Sequence, residues 1–214
     1  MAVSAKICGV NSAAAAAAAV DGGAAFVGFI FFPRSPRHLD PAAAADLARR
    51  VPGRVGRVGV FVDPTDAELA AVANVPLSML QLHGAEDPAR VAHIRARTGL
   101  KVMKAIAIAD AADLKQAAAF APVADWLLFD AKPPKSMASA LPGGNALAFD
   151  WEIMRGHHSA LPWMLSGGLS VENVAEAVRV TGAAAVDVSS GVEDAPGKKN
   201  PDRIRAFLDA TARL

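Results

Sequence analysis

The chain has a single cysteine, Cys8, among its 214 residues. A lone thiol has no partner within the chain, which excludes an internal disulfide framework and leaves Cys8 free. Charge of one sign is also missing. Lys plus Arg total 22 against 21 for Asp plus Glu, a net charge of +1. That balance excludes the basic footprint of a nucleic-acid binder or of a protein drawn to an anionic membrane. No block of like charges reads as a tail.

Long hydrophobic runs are scarce too. From Ala13 to Phe32 the only ionisable residue is Asp21. However, Ala13–Ala19 is polyalanine, a good helix former with little hydrophobic character. Gly22 and Gly23 break the run, and the apolar part that follows has strand length. This reads as helix, turn and strand rather than a signal peptide or membrane span. The expected compartment is the cytoplasm. No linker or composition shift marks a second domain, so residues 1–214 are expected to form one. The histidines His93, His157 and His158 lack cysteines or acids at ligand spacing, and no metal site is expected.

What the chain does have is alternation. Short apolar runs occur at Val3–Cys8, Ala25–Phe32, Arg57–Val62, Ser78–Leu82, Val102–Ile108, Ala124–Phe129, Trp163–Ser166 and Ala184–Val188. Helical patterns lie near Ser12–Val20, Pro41–Arg50, Asp66–Val72, Asp87–Arg97, Ala111–Ala119, Asp150–Arg155, Val171–Val180 and Asp202–Ala212. Asp40-Pro41 and Asn200-Pro201 each set an acceptor at the N-cap and proline at the first helical position. Ser170 reads as another cap. Runs rich in β-branched residues fit parallel strands buried on both faces. Eight such units in about 200 residues predict an α/β protein, a (β/α)8 TIM barrel in a single domain.

Active sites in such barrels sit where strands end. Polar and glycine residues collect there. Cys8-Gly9 closes the first strand; it is either a buried small hydrophobe or a nucleophile or base. Arg37, after Pro36, has a fork suited to a carboxylate; Arg34 reads as a solvated loop residue. Gln81 and His83 share one strand face, for binding or for packing. Asp130 follows a very apolar strand, as a loop cap or as an acid kept protonated by desolvation. Gly143-Gly144, Gly167-Gly168 and Ser189-Ser190-Gly191 lie on three consecutive loops, where converging backbone N–H groups can hold a phosphate.

Together, Lys6-Ile7-Cys8-Gly9, Gly28-Phe29-Ile30-Phe31 with Ser35-Pro36-Arg37, Gln81-Leu82-His83-Gly84, Leu128-Phe129-Asp130, Phe149-Asp150-Trp151, Ser166-Gly167-Gly168-Leu169 and Asp187-Val188-Ser189-Ser190-Gly191-Val192-Glu193 resemble the phosphoribosylanthranilate isomerases. The ordered set runs from Lys6 to Phe207. The resemblance implies a cofactor-free Amadori rearrangement in tryptophan biosynthesis, on a phosphorylated sugar–anthranilate substrate. By similarity, Asp130 is the general acid and Cys8 the general base. Arg37 holds the anthranilate carboxylate and Asp187 contacts the anthranilate side. Gln81 and His83 are expected to contact substrate, and the glycine loops to hold the phosphate. A monomer or homodimer is expected, with no nucleic acid and no membrane partner.

One loop departs from the family pattern. Gly-Gly-Thr-Gly is common there; here it reads Gly143-Gly144-Asn145-Ala146, and alanine is less free than glycine to take positive φ. Lys6 lies two residues before Cys8 on the same strand face, and its cation is expected to lower the thiol pKa. Rival barrel enzymes fit less well. A histidine-pathway isomerase is expected to carry aspartate where Cys8 stands. Indoleglycerol-phosphate synthase is expected to need extra N-terminal residues and a lysine pair. A non-catalytic phosphate sensor has no use for both Cys8 and Asp130.

Overall fold

A computed structural model of the chain describes residues 3–133, 143–144 and 148–214. Eight parallel strands close into a barrel in chain order. They are β1 (Ser4–Cys8), β2 (Phe26–Ile30), β3 (Gly56–Phe61), β4 (Met79–Leu82), β5 (Lys101–Ile108), β6 (Trp126–Ala131), β7 (Trp163–Leu165) and β8 (Ala185–Val188). Closure is made by β1, which pairs with β2 on one side and β8 on the other, in the registers Cys8 to Gly28 and Lys6 to Asp187.

Helices α1 (Ala13–Asp21), α2 (Pro41–Arg49), α3 (Asp66–Ala71), α4 (Pro88–Thr98), α5 (Ala111–Gln116), α6 (Val174–Thr181) and α7 (Pro201–Ala212) follow strands one to five, seven and eight. The expected caps form at two of them. Asp40 accepts from Ala43 N–H, and Asn200 accepts from the N–H groups of Asp202 and Arg203. The polyalanine segment also gains a structural reason. Ala15, Ala18 and Ala19 are fully buried, and α1 packs against α7, where a Cβ on Gly22 would lie 2.6 Å from a Leu208 methyl. Small side chains let the first and last helices approach closely.

Two expectations need correction. The helix over Asp150–Arg155 is instead a short 3-10 turn, Trp151–Met154, capped by Asp150 and followed by Gly156 at φ 69°. Four residues and a left-handed glycine leave no room for a helical ladder. Ser170 is not a helix cap: α6 begins at Val174, and Asn173 turns back to accept from Ser170 N–H and donate to Gly168 O. Asp130 stands next to last in β6, at the strand end where it was expected. A hairpin also follows β8 that the strand patterns did not suggest: β9 (Glu193–Ala195) pairs antiparallel with β10 (Lys198–Lys199). Pro196-Gly197 at its tip is the turn signal that marks it.

Two apolar layers separate inside from outside. Val58, Val60, Met79, Met103, Ala105, Leu128, Met164 and Ala185 cluster with Cys8 inside the barrel. Their strand neighbours, among them Ile7, Phe29, Phe61, Leu80 and Phe129, pack outward against the helices. Alternation therefore turns Lys6, Gln81, Asp130 and Asp187 inward. Phe29 is fully buried in the outer layer. Phe29→Ala is expected to cost about 3–5 kcal/mol of stability, read as a lowered denaturant midpoint; a change below about 1 kcal/mol would contradict this packing.

Candidate active site

The inward residues at the strand C-termini surround an open cavity. Cys8, Arg37, His83, Asp130, Asp187 and Ser189 all line it, with Gly143 and Gly144. A second, smaller hollow adjoins it, lined by Gly167, Gly168 and Ser190 as well as by Asp130, Gly143, Gly144 and Ser189. Most of the expected site residues thus meet in one place. Gln81 and Gly191 do not line either hollow. Gln81 is fully buried beneath His83. Gly191 packs its backbone so near Leu169 that a Cβ would lie 2.0 Å from Leu169 O. Asn145 and Ala146 lie outside the described residues.

Glycine is required at Gly167 and Gly144. Gly167 has φ 91°, and a Cβ there would meet Ala131 N at 2.8 Å. Gly144 has φ 76°, and a Cβ would stand 2.7 Å from Arg37 Nη1. Both backbones come closer to their neighbours than any side chain permits.

Cys8 is buried and free. Burial pushes its thiol above the ordinary value, outweighing the pull of the Lys6 and Lys199 cations toward thiolate. The Lys6 cation acts to lower the thiol pKa, as expected, but desolvation dominates, and the neighbouring Asp187 charge opposes it. Lys6 is also committed elsewhere, in a buried ion pair with Asp187 at 2.8 Å. Burial disfavours the ammonium, yet Asp187 and the thiolate together hold Lys6 above its ordinary pKa. Ser166 Oγ donates to the other Asp187 oxygen at 3.3 Å.

Asp130 accepts from the Ala131 N–H at 2.8 Å, and its Oδ2 lies 3.1 Å from His83 Nε2. His83 Nδ1 lies 2.9 Å from the Gln81 amide nitrogen. When that amide donates to Nδ1, the ring carries its proton on Nε2 and donates to Asp130. The Gln81 Oε1 is buried without a hydrogen-bond partner among the described residues. His83 is held at both flanks: Lys104 Nζ donates to the carbonyls of Leu82 at 3.3 Å and Gly84 at 2.7 Å, and pairs with buried Glu86 at 2.8 Å.

Arg37 is not the free fork expected from its loop. Its Nε and Nη2 donate to Glu193 Oε1 and Oε2 at 2.7 and 2.8 Å. Lys199 joins the same carboxylate at 2.7 Å. Burial alone would raise the Glu193 pKa, but Arg37 and Lys199 hold it below the ordinary value. Glu193 and Lys199 are the residues the sequence left unassigned. The Pro196-Gly197 turn could have found them, because it folds Lys199 back onto Glu193. Arg34, as expected, is exposed. Away from the site, His93 meets Asp66 at the surface and His157 packs edge-on against Phe129.

Fold and site together define a (β/α)8-barrel enzyme whose cavity at the strand C-termini sets Cys8, Arg37, His83, Asp130 and Asp187 among apolar side chains. The family model for N-(5'-phosphoribosyl)anthranilate isomerase matches residues 5–210. The isomerase of Paracoccus denitrificans is 61% identical over 209 residues, 97% of this chain and 96% of that one. A crystal structure of the Thermotoga maritima phosphoribosylanthranilate isomerase superposes with a TM-score of 0.87 at 36% identity, covering 99% of this chain and all of that one. A phosphoribosylanthranilate isomerase solved with reduced 1-(o-carboxyphenylamino)-1-deoxyribulose 5-phosphate gives a TM-score of 0.83 at 34% identity, covering 99% of this chain and 100% of its own. The chain belongs to the N-(5'-phosphoribosyl)anthranilate isomerase family, and it is an isomerase of tryptophan biosynthesis.

Lys6→Met is expected to move the alkylation of Cys8 by iodoacetamide to higher pH, since the thiol then loses an attracting cation. An alkylation profile that stays in place would remove Lys6 from the account of the thiol.

Proposed function

We propose that Asp130 is the general acid and Cys8 the general base in an Amadori rearrangement of N-(5-phosphoribosyl)anthranilate to the enol form of 1-(2-carboxyphenylamino)-1-deoxyribulose 5-phosphate. The carrying observation is that Cys8 on β1 and Asp130 on β6 line one cavity beside a glycine-lined hollow. That hollow suits the substrate phosphate, with the backbones of Gly143, Gly144, Gly167, Gly168, Ser189 and Ser190 around it, and Gly191 behind them allows the close packing of the last loop on Leu169.

Asp130 protonates the ribose ring oxygen. The bond from that oxygen to sugar carbon 1 breaks, and the anthranilate nitrogen lone pair forms an iminium. The Cys8 thiolate then takes the proton from carbon 2. Its electrons form the carbon 1–carbon 2 double bond and neutralise the iminium. The cycle ends with Cys8 protonated and Asp130 ionised, and solvent exchange restores both. A thiol raised by burial gives a strong base once ionised. The iminium adds a positive charge near it just when the thiolate is needed.

Gln81 and His83 support the acid. Rotating the Gln81 amide by half a turn exchanges its partnerless Oε1 with the nitrogen now facing His83. His83 then carries its proton on Nδ1, and Nε2 accepts from a protonated Asp130. Arg37 holds the anthranilate carboxylate, and Asp187 faces the anthranilate side of the same cavity. On this reading residues 1–214 act as one domain in the cytoplasm, without cofactor, as a monomer or homodimer. No helix among the described residues is long and apolar enough to cross a membrane.

Turnover is followed as the fluorescence decay of phosphoribosylanthranilate generated in situ. Cys8→Ser and Asp130→Asn are each expected to lower kcat about 10²–10⁴-fold, while the folded proteins still bind the reduced product analogue. Near-normal rates in both variants would refute the assigned roles.

A further inference from the structure

Arg37 comes from the loop after β2, yet its charge is answered from the other side of the barrel. Its Nε and Nη2 fill both oxygens of Glu193 on β9. One of the two bidentate edges of the guanidinium is therefore occupied by protein. The remaining edge, Nη1 with the second Nη2 hydrogen, lies at Gly144, whose carbonyl accepts from Nη2 at 3.3 Å. Arg37 lines the cavity, and among the described residues this end-on edge meets only the long Gly144 contact, which a ligand carboxylate would replace or share.

Glu193 has a second cation. Lys199 on β10 donates to Glu193 Oε1 at 2.7 Å, and also to Ser189 O at 2.9 Å and Ser189 Oγ at 3.2 Å. Ser189 in turn donates to Cys8 O at 3.2 Å. Arg37, Glu193 and Lys199 are 3%, 6% and 7% exposed. The chain Arg37–Glu193–Lys199–Ser189 thus runs from the arginine at one end of the cavity to the loop of the adjoining hollow. Two cations against one anion leave one unit of positive charge, matched to one carboxylate.

We infer that Glu193 and Lys199 are positioning residues: an ion-pair strut that turns Arg37 so that its end-on edge meets the substrate carboxylate, and ties that grip to the Ser189 loop at the phosphate end. This rests on the carboxylate-binding role proposed for Arg37. The Pro196-Gly197 hairpin is what makes the strut possible, because it brings Lys199 back beside Glu193. A Cβ on Gly197 would lie 2.5 Å from Pro36 O, so the hairpin tip also rests on the Arg37 loop.

The test measures kcat and KM with two substrates, phosphoribosylanthranilate and the analogue made from aniline, which lacks the ring carboxylate. Glu193→Gln is expected to raise KM for the natural substrate about 10–100-fold, with kcat reduced much less, because orientation of the grip is lost. For the aniline analogue its KM is expected to change less than about twofold, since that substrate makes no use of the grip. Lys199→Met is expected to raise KM for the natural substrate, and for the aniline analogue by a smaller factor because Ser189 also loses its tie, and the double variant to fall short of the product of the two single effects. If Glu193→Gln does not fold, Lys199→Met carries the same comparison. Equal KM increases for both substrates in whichever variant folds, or no increase for either, would overturn the strut. Arg37→Met separates the two layers of the argument. If it too leaves the natural KM unchanged, the carboxylate role of Arg37 fails; if it raises KM while Glu193→Gln and Lys199→Met do not, only the strut fails.

Discussion

The register of β1 constrains everything in the site. Between β2 and β8, Lys6 stands beside Asp187 and Cys8 beside Gly28. A slip of one residue would turn Lys6 and Cys8 outward into the helix layer. The ion pair of Lys6 with Asp187 resists such a slip, since exposing either charge alone to the barrel interior costs about 3–5 kcal/mol. Gly28 answers the same register from β2. A Cβ there would sit 3.1 Å from the Cys8 sulfur and 3.2 Å from Lys6 Nζ. The thiol, its neighbouring cation and that cation's partner therefore share one small volume because the strand alternates and the sheet closes.

The loops complete what the strands begin. Strands supply Cys8 from β1 and Asp130 from β6, the two groups assigned to the proton transfers. Loops supply the surface proposed to hold the phosphate. Gly144 and Gly167 take backbone conformations that bring N–H and C=O groups where side chains would block the space. The cost of burying charge is met locally in each case: Lys6 by Asp187, Arg37 by Glu193, Lys104 by Glu86. The Lys104–Glu86 pair lies outside the reacting set, yet it holds the loop carrying His83, and through His83 it fixes the surroundings of Asp130.

The barrel was legible because period-two apolar runs and helical runs alternate with clear caps, as at Asp40-Pro41 and Asn200-Pro201. Strand ends pointed to Cys8, Asp130, Asp187 and the glycine loops, because a barrel's strand ends define its site. What escaped was set by distant contacts. Arg37 and Glu193 are 156 residues apart, and no local pattern marks their pairing. Lys6 read as a helper of the thiol because strand alternation shows its face, whereas its partner Asp187 is fixed only by barrel closure. The thiol's direction of shift depended on the depth of burial, which no spacing encodes. The segment after Asp150 carried a good capping residue, but a cap alone does not lengthen a four-residue turn into a helix.

The division of labour between carboxylate and thiol is tested most directly by the isotope effect of deuterium at sugar carbon 2, measured in single turnovers. If Asp130 opens the ring and Cys8 removes the carbon proton, the slowing by deuterium reaches its full primary size in Cys8→Ser, where proton removal limits the rate. In Asp130→Asn it shrinks toward none, because ring opening then limits. An isotope effect that is the same in both variants, or that follows the reverse order, would contradict the account.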